Sequence, residues 1–191
     1  MKMNQRVPLL DVDVASQRGV DCGLPEAMTE LSVFRVALHQ PEVAVALHRM
    51  LEALLFNGSL DARLRELIIM RIGWATGSAY EWTQHWRVAR LLGVPENDII
   101  AVREWETSDL FGSVEKAILA ATDDVLRDGA ISDSHWSACV DAFGGDYSLL
   151  VELVAVIANW RLFSIFLRST DVPLEEGVEA WPPDGTLPTR S

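Results

Sequence analysis

The sequence predicts an all-α protein, and three observations support this fold class. Apolar residues recur with helical spacing from residue 25 to about residue 171. The segments with this spacing begin and end at residues that favour helix termini, such as Pro41 at a beginning and Gly93 at an end. No segment combines alternating hydrophobicity with hairpin turns. Residues 152–160 have the composition of a strand, but the apolar run there is too long and lacks flanking turns.

The expected helices follow one another with short turns between them. The first is expected from Pro25 to about Leu38, and the second from Pro41 to the turn at Asn57-Gly58. The later helices are expected over residues 61–76, 78–92, 95–104, 113–129, 132–143 and 146–169. The pattern therefore predicts about seven or eight helices.

The two ends of the chain differ from its middle. Residues 1–24 show little helical periodicity and are expected to form an irregular N-terminal arm. Residues 172–191 carry four prolines, which favour an extended C-terminal tail. One helical domain over residues 25–171 is therefore expected between them.

Composition narrows the class of protein further. The chain has 191 residues, 49 % of them apolar, which is enough for one domain with a core. A net charge of −12 argues against nucleic acid or an anionic membrane as a partner, because both attract basic surfaces. Cys22 and Cys139 are far apart and predict neither a disulfide framework nor a zinc site. Without a signal-peptide pattern or 18 consecutive uncharged apolar residues, the expectation is a soluble cytoplasmic protein.

Residues 77–86, GSAYEWTQHW, place polar groups on an apolar helix face. At 100° per residue, Ser78, Glu81 and His85 fall on one stripe. The preceding helix is apolar nearly all round, which predicts burial, and Glu66 is one of its few charges. Buried carboxylates are uncommon unless they are paired or functional. Glu66, Glu81 and His85 are therefore candidate catalytic residues.

Structural roles account for some of the same residues. Ser78 and Glu81 fit the S-x-x-E capping box, and Glu81 and His85 fit an i,i+4 ion pair. Glu66 could neutralise a nearby arginine, such as Arg65 or Arg71. Several tryptophans fit a core or a pocket lining, namely Trp74, Trp82, Trp86 and Trp160. A metal site with Glu66, Glu81 and His85 as ligands is a further alternative, although one E-x-x-x-H pair is a weak metal signal.

Residues 59–104 resemble the carboxymuconolactone decarboxylase family, which includes the alkylhydroperoxidase D-like proteins. The resemblance rests on R-E-L at residues 65–67, on G-x-x-Y-E-W-x-x-H at residues 77–85, and on a helix that ends at Gly93. It extends less specifically over about residues 40–172, where the long C-terminal helix is similar to the last long helix of the family.

The resemblance implies an alkylhydroperoxidase D-like orthogonal helical bundle, assembled as trimers or hexamers, with a mostly apolar ligand pocket. In the peroxidase branch of the family, cysteines stand at the positions of Ser78 and Glu81, and residues matching Glu66 and His85 relay protons. Because serine and glutamate supply no thiolate, thiol peroxidase activity is not expected here. The decarboxylase branch also lacks the cysteine pair and has a Glu and a His at the positions of Glu81 and His85.

The resemblance and the residues together predict a cofactor-free lyase or isomerase that acts on a small carboxylated or lactone-like molecule. Glu81 and His85 form the expected proton-transfer pair, and Glu66 completes a relay. The residues expected to contact the substrate are Ser78, Tyr80, Trp82, Trp74 and Arg71, although Arg65 and Arg161 could also hold a carboxylate. The alternatives are the metal-dependent enzyme above and a non-catalytic oligomeric binding or scaffold protein of the same fold.

Two helices predict self-association. The segments 61–76 and 148–168 are apolar nearly all round, which leaves more apolar surface than one monomer covers. The expected state is therefore a homo-oligomer, and its number, three or a multiple of three, comes from the resemblance.

Overall fold

The computed structural model describes residues 5–189, and every regular element in that range is a helix. In chain order the α-helices are α1 Val12–Cys22, α2 Glu26–Thr29, α3 Ser32–Ala37, α4 Pro41–Leu55, α5 Ala62–Thr76, α6 Ala79–Leu91, α7 Glu96–Ala101, α8 Ser113–Asp128, α9 Asp133–Ala142 and α10 Tyr147–Thr170. A 3₁₀ segment, Val102–Thr107, follows α7. The all-α prediction is confirmed.

The N-terminal arm is not irregular as predicted, because it contains α1. The buried face of this helix is made of two small residues, Ala15 and Gly19, one turn apart. A Cβ atom on Gly19 would lie 2.3 Å from Cγ2 of Thr29, so the glycine allows α1 to approach its neighbour closely. The large apolar residues of α1 are exposed instead. A helix with so small a buried face carries little hydrophobic periodicity in its sequence.

The helix predicted from Pro25 to Leu38 is divided into α2 and α3. The division falls at Leu31, whose backbone is extended. The freed backbone N–H of Ser32 donates to Oε1 of Glu175 across 3.0 Å. This hydrogen bond gives a partner to one of the backbone N–H groups at the start of α3. Because Glu175 is distant in the chain, the local sequence does not reveal the bond. Together with α1, the division brings the number of α-helices in residues 5–189 above the predicted seven or eight.

The chain forms two compact units. One comprises the chain up to Asn57 together with Ile165–Glu179, and its interior includes Ala15, Phe34 and Leu38. The other comprises Gly58–Ser164 together with the chain from Ala180 onwards, and it contains all the candidate catalytic residues.

Helix α5 is the interior helix of this second unit, and it packs against α6, α7 and α8. Its residues Leu67, Ile68, Ile69, Met70 and Ile72 have no exposed surface. The helix ends at Gly77, which adopts a left-handed backbone with φ 69°. At Gly73 a Cβ atom would lie 3.1 Å from the backbone N of Trp82, so this glycine allows α5 and α6 to lie close together.

Helix α10 is only partly buried. It carries an exposed apolar stripe of Tyr147, Val151, Val154 and Leu162, with exposures between 41 % and 75 %. Their spacing places all four on one helix face. The helix is long and apolar enough to cross a membrane by length and composition alone, but a core helix of a soluble protein meets the same criterion. The residues that follow it, 172–189, form turns without a helix or a strand.

Candidate functional site

Glu66, His85 and Trp160 form a hydrogen-bonded line across three helices. Oε2 of Glu66, on α5, lies 2.7 Å from Nδ1 of His85, on α6. The indole N–H of Trp160, on α10, donates to Nε2 of His85 across 3.0 Å. Glu66 has no exposed surface, whereas the His85 side chain is 14 % exposed. The imidazole is thus oriented from both sides and still reaches the surface.

The line is held in place by polar contacts near the end of α5. The Ser164 hydroxyl, one turn after Trp160, donates to Oγ1 of Thr76 across 2.6 Å. Thr76 in turn donates to the backbone carbonyl of Ile72. Nε of Arg65 lies 3.4 Å from Oε1 of Glu66, which places a positive charge beside the buried carboxylate.

Glu81 lies one turn before His85 and is almost fully buried, with 2 % exposure. Neither of its carboxyl oxygens has a hydrogen-bond partner within residues 5–189, and the same holds for the hydroxyl of Ser78. Burial raises the pKa of Glu81 well above its usual range, and the neighbouring Ser78 hydroxyl lowers the pKa by a smaller amount without reaching hydrogen-bond geometry. Burial therefore favours the neutral, carboxylic acid form of Glu81.

This geometry decides between the alternatives for Ser78 and Glu81. Ser78 is the N-cap of α6, but its side chain accepts no capping hydrogen bond, so the capping box does not form. The i,i+4 ion pair between Glu81 and His85 does not form either, because His85 is bonded to Glu66 and Trp160. The carboxylate–imidazole pair of the structure joins Glu66 to His85.

Arg71, which is predicted to contact the substrate, is engaged by other groups of the protein. Its Nε and Nη2 donate to the two carboxylate oxygens of Asp123, across 2.7 Å and 2.8 Å. Its Nη1 donates to the backbone carbonyls of Val102 and Arg103. A guanidinium group committed in this way fixes the 3₁₀ segment to α5 and α8 and has little capacity left for a ligand.

The predicted contact residues Trp74 and Trp82 belong to an aromatic cluster that Trp181 completes. The Trp181 ring lies 6.0 Å from that of Trp74 and 6.1 Å from that of Trp82. The guanidinium carbon of Arg103 lies 4.6 Å from the ring centroid of Trp74 and 4.9 Å from that of Trp82. The same guanidinium donates to both carboxylate oxygens of Asp184.

The chain after Ala180 lies along the first turns of α6. The indole N–H of Trp82 donates to the carbonyl of Pro182 across 2.7 Å, and the backbone N–H of Trp181 donates to the Thr83 hydroxyl. Pro188 lies beside Gly77, the residue before Ser78. The start of α6, where Ser78 and Glu81 lie, is therefore covered by residues of the C-terminal tail.

Sequence reasoning missed three residues of this region: Trp160 as a partner of His85, and Trp181 and Arg103 as members of the aromatic cluster. Their contacts join positions that are 75 or more residues apart, or depend on where an irregular tail lies. Tyr80, another predicted contact residue, is buried. Within residues 5–189, no group of three or more His, Cys, Asp or Glu side chains is placed to hold a metal ion.

Comparison with known proteins identifies this architecture. Residues 41–124 match the carboxymuconolactone decarboxylase family. The structure is similar to that of an AhpD-core protein, an uncharacterized peroxidase-related protein from Ralstonia eutropha JMP134. The TM-score is 0.72 at 18 % identity, and the match covers 92 % of this chain and 95 % of the other.

Two further structures share the fold. The debrominase Bmp8 has a TM-score of 0.71 at 20 % identity, over 92 % of this chain and 95 % of its own. An uncharacterized peroxidase-related protein from Silicibacter sp. TM1040 has a TM-score of 0.69 at 14 % identity, over 93 % and 96 %. A variant of Bmp8 is also known in complex with 2,3,4-tribromopyrrole, with a TM-score of 0.70 at 20 % identity and coverage of 91 % and 94 %. No curated protein sequence matches the chain.

The fold is thus that of the alkylhydroperoxidase D-like helical proteins, as predicted. The family match covers residues 41–124, and across the rest of the chain the likeness to known proteins is one of fold alone. Positions 78 and 81 are Ser and Glu, so no C-x-x-C pair is present there.

Proposed function

We propose that this protein is a cofactor-free lyase or isomerase that transfers protons on a small carboxylated or lactone-like molecule. The observation that carries the proposal is the buried, unpartnered carboxyl group of Glu81, one turn away from an imidazole that a second carboxylate orients. An orphan buried carboxyl group is costly for folding, so its presence on the same helix as His85 favours a functional role.

The two carboxyl groups suit different steps. Burial of the Glu81 side chain favours its neutral form, which can donate a proton. His85, with its Nδ1–H directed to Glu66, can accept a proton at Nε2. The arrangement provides an acid and a base on the same helix.

A decarboxylation would use these groups as follows. The bond between the substrate carboxylate and the adjacent carbon breaks, CO₂ leaves, and the electron pair stays on that carbon as an enolate. Glu81 donates its proton to the carbon and becomes a carboxylate, which solvent reprotonates. An isomerisation would begin instead with removal of a C–H proton by His85. Both routes are redox-neutral.

Cysteine chemistry fits the chain less well. Burial raises the pKa of Cys139 to about 11, so this thiol is not a thiolate at neutral pH. Cys22 lies in α1, in the other compact unit. Neither residue stands at the position of Ser78 or Glu81.

The substrate class follows from the lining of the site. Trp160 lies edge-on to His85, and Trp82 and Trp86 are buried on the same helix as Glu81 and His85, which favours a small molecule with an apolar body. The debrominase Bmp8, of the same fold, takes a small brominated ring, 2,3,4-tribromopyrrole. Of the arginines that could hold a carboxylate, Arg71 is committed to Asp123, Arg65 lies beside Glu66, and Arg161 approaches Gly129.

A substrate panel tests the proposal. Lactones and β-keto acids are incubated with the wild-type protein and with the Glu81→Gln and His85→Gln variants, and CO₂ release and ring opening are followed. We expect turnover by the wild type that falls about 10²- to 10⁴-fold in each folded variant. Equal turnover in wild type and variants would assign the activity to another site. Binding without turnover would favour the non-catalytic binding protein.

We also propose that the protein is a homo-oligomer, a trimer or a hexamer. Helix α5 is covered within its own unit, so the support comes from α10, whose four stripe residues are large and exposed. Such a stripe suits burial against another copy of the chain.

A further inference from the structure

Trp160 is the partner of His85 that the proposed reaction leaves without a role. Its side chain is 1 % exposed, and its ring lies edge-on to the imidazole, with ring centroids 5.6 Å apart at an interplanar angle of 82°. The 3.0 Å separation between its Nε1 and Nε2 of His85 is that of an ordinary hydrogen bond.

The direction of this hydrogen bond fixes the proton on His85. An indole N–H can only donate, so Nε2 must present its lone pair. A neutral imidazole carries one N–H, which must then lie on Nδ1 and point to Oε2 of Glu66, 2.7 Å away. A second proton on Nε2 would place two N–H groups head to head. The contacts therefore select one neutral form of the ring.

We propose that Trp160 is a positioning residue that holds His85 in its neutral, Nδ1-protonated form and reserves Nε2 as a proton acceptor. In the resting protein His85 can accept a proton but has none to give at Nε2, and acceptance requires the indole N–H to move aside. His85 is then the base of the site, and the acid is Glu81. This division of roles rests on the proposed function, whereas the proton position on His85 does not.

The charged groups around His85 come from several elements. Glu66 faces it from α5, and Arg65 lies beside Glu66. Glu81 lies one turn away on α6 itself, and burial favours its neutral form. On α7, Glu96 is paired with Arg90 and Asp98 with Arg63. On α10 the group that contacts the imidazole is the uncharged indole of Trp160. Removing its N–H therefore changes one hydrogen bond and no charge.

Nitrogen NMR of the full-length protein tests the proposal without a substrate. In ¹⁵N-labelled wild type, the His85 resonances are assigned by comparison with His85→Gln. We expect Nδ1 to carry the proton and Nε2 to show the shift of an unprotonated nitrogen. A wild-type ring protonated on Nε2 would overturn the proposal whether or not any variant folds.

The Trp160→Phe variant keeps a ring and removes the N–H donor. At a fixed pH, we expect its ratio of Nε2-protonated to Nδ1-protonated neutral imidazole to rise about two- to tenfold over wild type, the range that one hydrogen bond of ordinary net strength gives. Trp105→Phe is the matched control, because Trp105 is also buried and donates its indole N–H across 2.9 Å, but to Asp123. An equal ratio in wild type and Trp160→Phe, or an equal rise in the control, would overturn the proposal.

Turnover separates the two proposals. Where a substrate is found, Trp160→Phe should shift the pH dependence of kcat and the control should not. If no substrate is turned over while the NMR results are as expected, the proposed function fails and the positioning role of Trp160 stands.

Discussion

Nδ1 of His85 and Oε2 of Glu66 lie 2.7 Å apart, although the residues are 19 positions apart and belong to different helices. The glycine at position 73 allows α5 and α6 to approach closely enough for this contact. A carboxylate in this position fixes both the orientation and the tautomer of an imidazole, which is how many acid–base sites are prepared.

The first prediction concerns this pair. Glu66→Gln and His85→Gln should each lower kcat by about 10²- to 10⁴-fold, because the carboxylate and the imidazole transfer protons as one unit. The double variant should lose little more than either single variant. Steady-state kinetics with thermal melts make the measurement. Full activity in folded His85→Gln protein would contradict the proton-transfer role.

The second prediction concerns the pH dependence of Glu81. Its pKa is raised on folding, so the folded state keeps the proton while the unfolded state releases it above about its usual value of 4.5. The contribution of Glu81 to the free energy of unfolding is therefore largest at low pH and is lost as the pH rises. Glu81→Gln stays neutral at every pH, and its melting temperature relative to wild type should rise between about pH 5 and pH 8.

Glu106→Gln is the control for this measurement, because Glu106 is exposed. Its melting temperature relative to wild type should be nearly constant over the same pH range. A constant difference for Glu81→Gln as well would show that Glu81 is ionised in the folded protein.

The third prediction concerns Asp124, whose pKa is shifted in the opposite direction to that of Glu81. Its carboxylate accepts hydrogen bonds from Ser132, His135 and Arg127, which hold its pKa below its usual value of 3.8. Its stabilisation of the α8–α9 turn is therefore complete above that value and is lost as the pH falls below it. Asp124→Asn should lower the free energy of unfolding by about 1–3 kcal/mol at pH 7.

Urea unfolding at pH 7 and at about pH 3 checks this difference, which should shrink at the lower pH. Asp128→Asn is a suitable control, because Asp128 is exposed and pairs with Arg127 at the surface. A similar loss in both variants would mean that the buried network around Asp124 adds nothing specific.

The fourth prediction concerns the cysteines. The double variant Cys22→Ser, Cys139→Ser should keep its turnover, since the proposed chemistry uses no thiol. Cys139 is fully buried, so thermal melts are measured alongside the kinetics. A large loss of turnover in a folded double variant would place the chemistry at a thiol.

The fifth prediction concerns assembly. Val151 lies in the exposed stripe of α10, and Val151→Asp should weaken the oligomer by placing a charge in its interface. Light scattering at micromolar concentration should show an oligomer for the wild type and smaller species for the variant. Leu91→Asp is the control, because Leu91 is more exposed but lies on α6. A monomeric wild type would reject the oligomer.

Part of the candidate site could be read from the spacing of residues. Helical periodicity places Ser78, Glu81 and His85 on one face of α6, and the apolar surroundings of Glu66 predict that it is buried. Spacing within one helix says little about partners on another. For that reason the sequence suggested that Glu81 pairs with His85, whereas the contact is made by Glu66.

Other parts depended on contacts between distant segments. Arg71 has the chemistry of a carboxylate ligand, and only the position of Asp123 shows that the guanidinium is already bound. Trp181 lies in a proline-rich tail with no periodicity, so its place between Trp74 and Trp82 had no local signal.

The sequence by itself determined the helical class and the position of most helices, because hydrophobic period, prolines and glycines act over a few neighbouring residues. It also showed that residues 78 and 81 are Ser and Glu, which the resemblance implies are the positions of the thiol pair in the peroxidase branch. Only the tertiary structure shows which hydrogen-bond partners Glu81 and His85 have. Glu81 is unpartnered and its pKa is raised by burial, and His85 is held between Glu66 and Trp160. The reason is physical: burial and hydrogen bonding set the proton on each group, and both depend on side chains that packing brings from other helices.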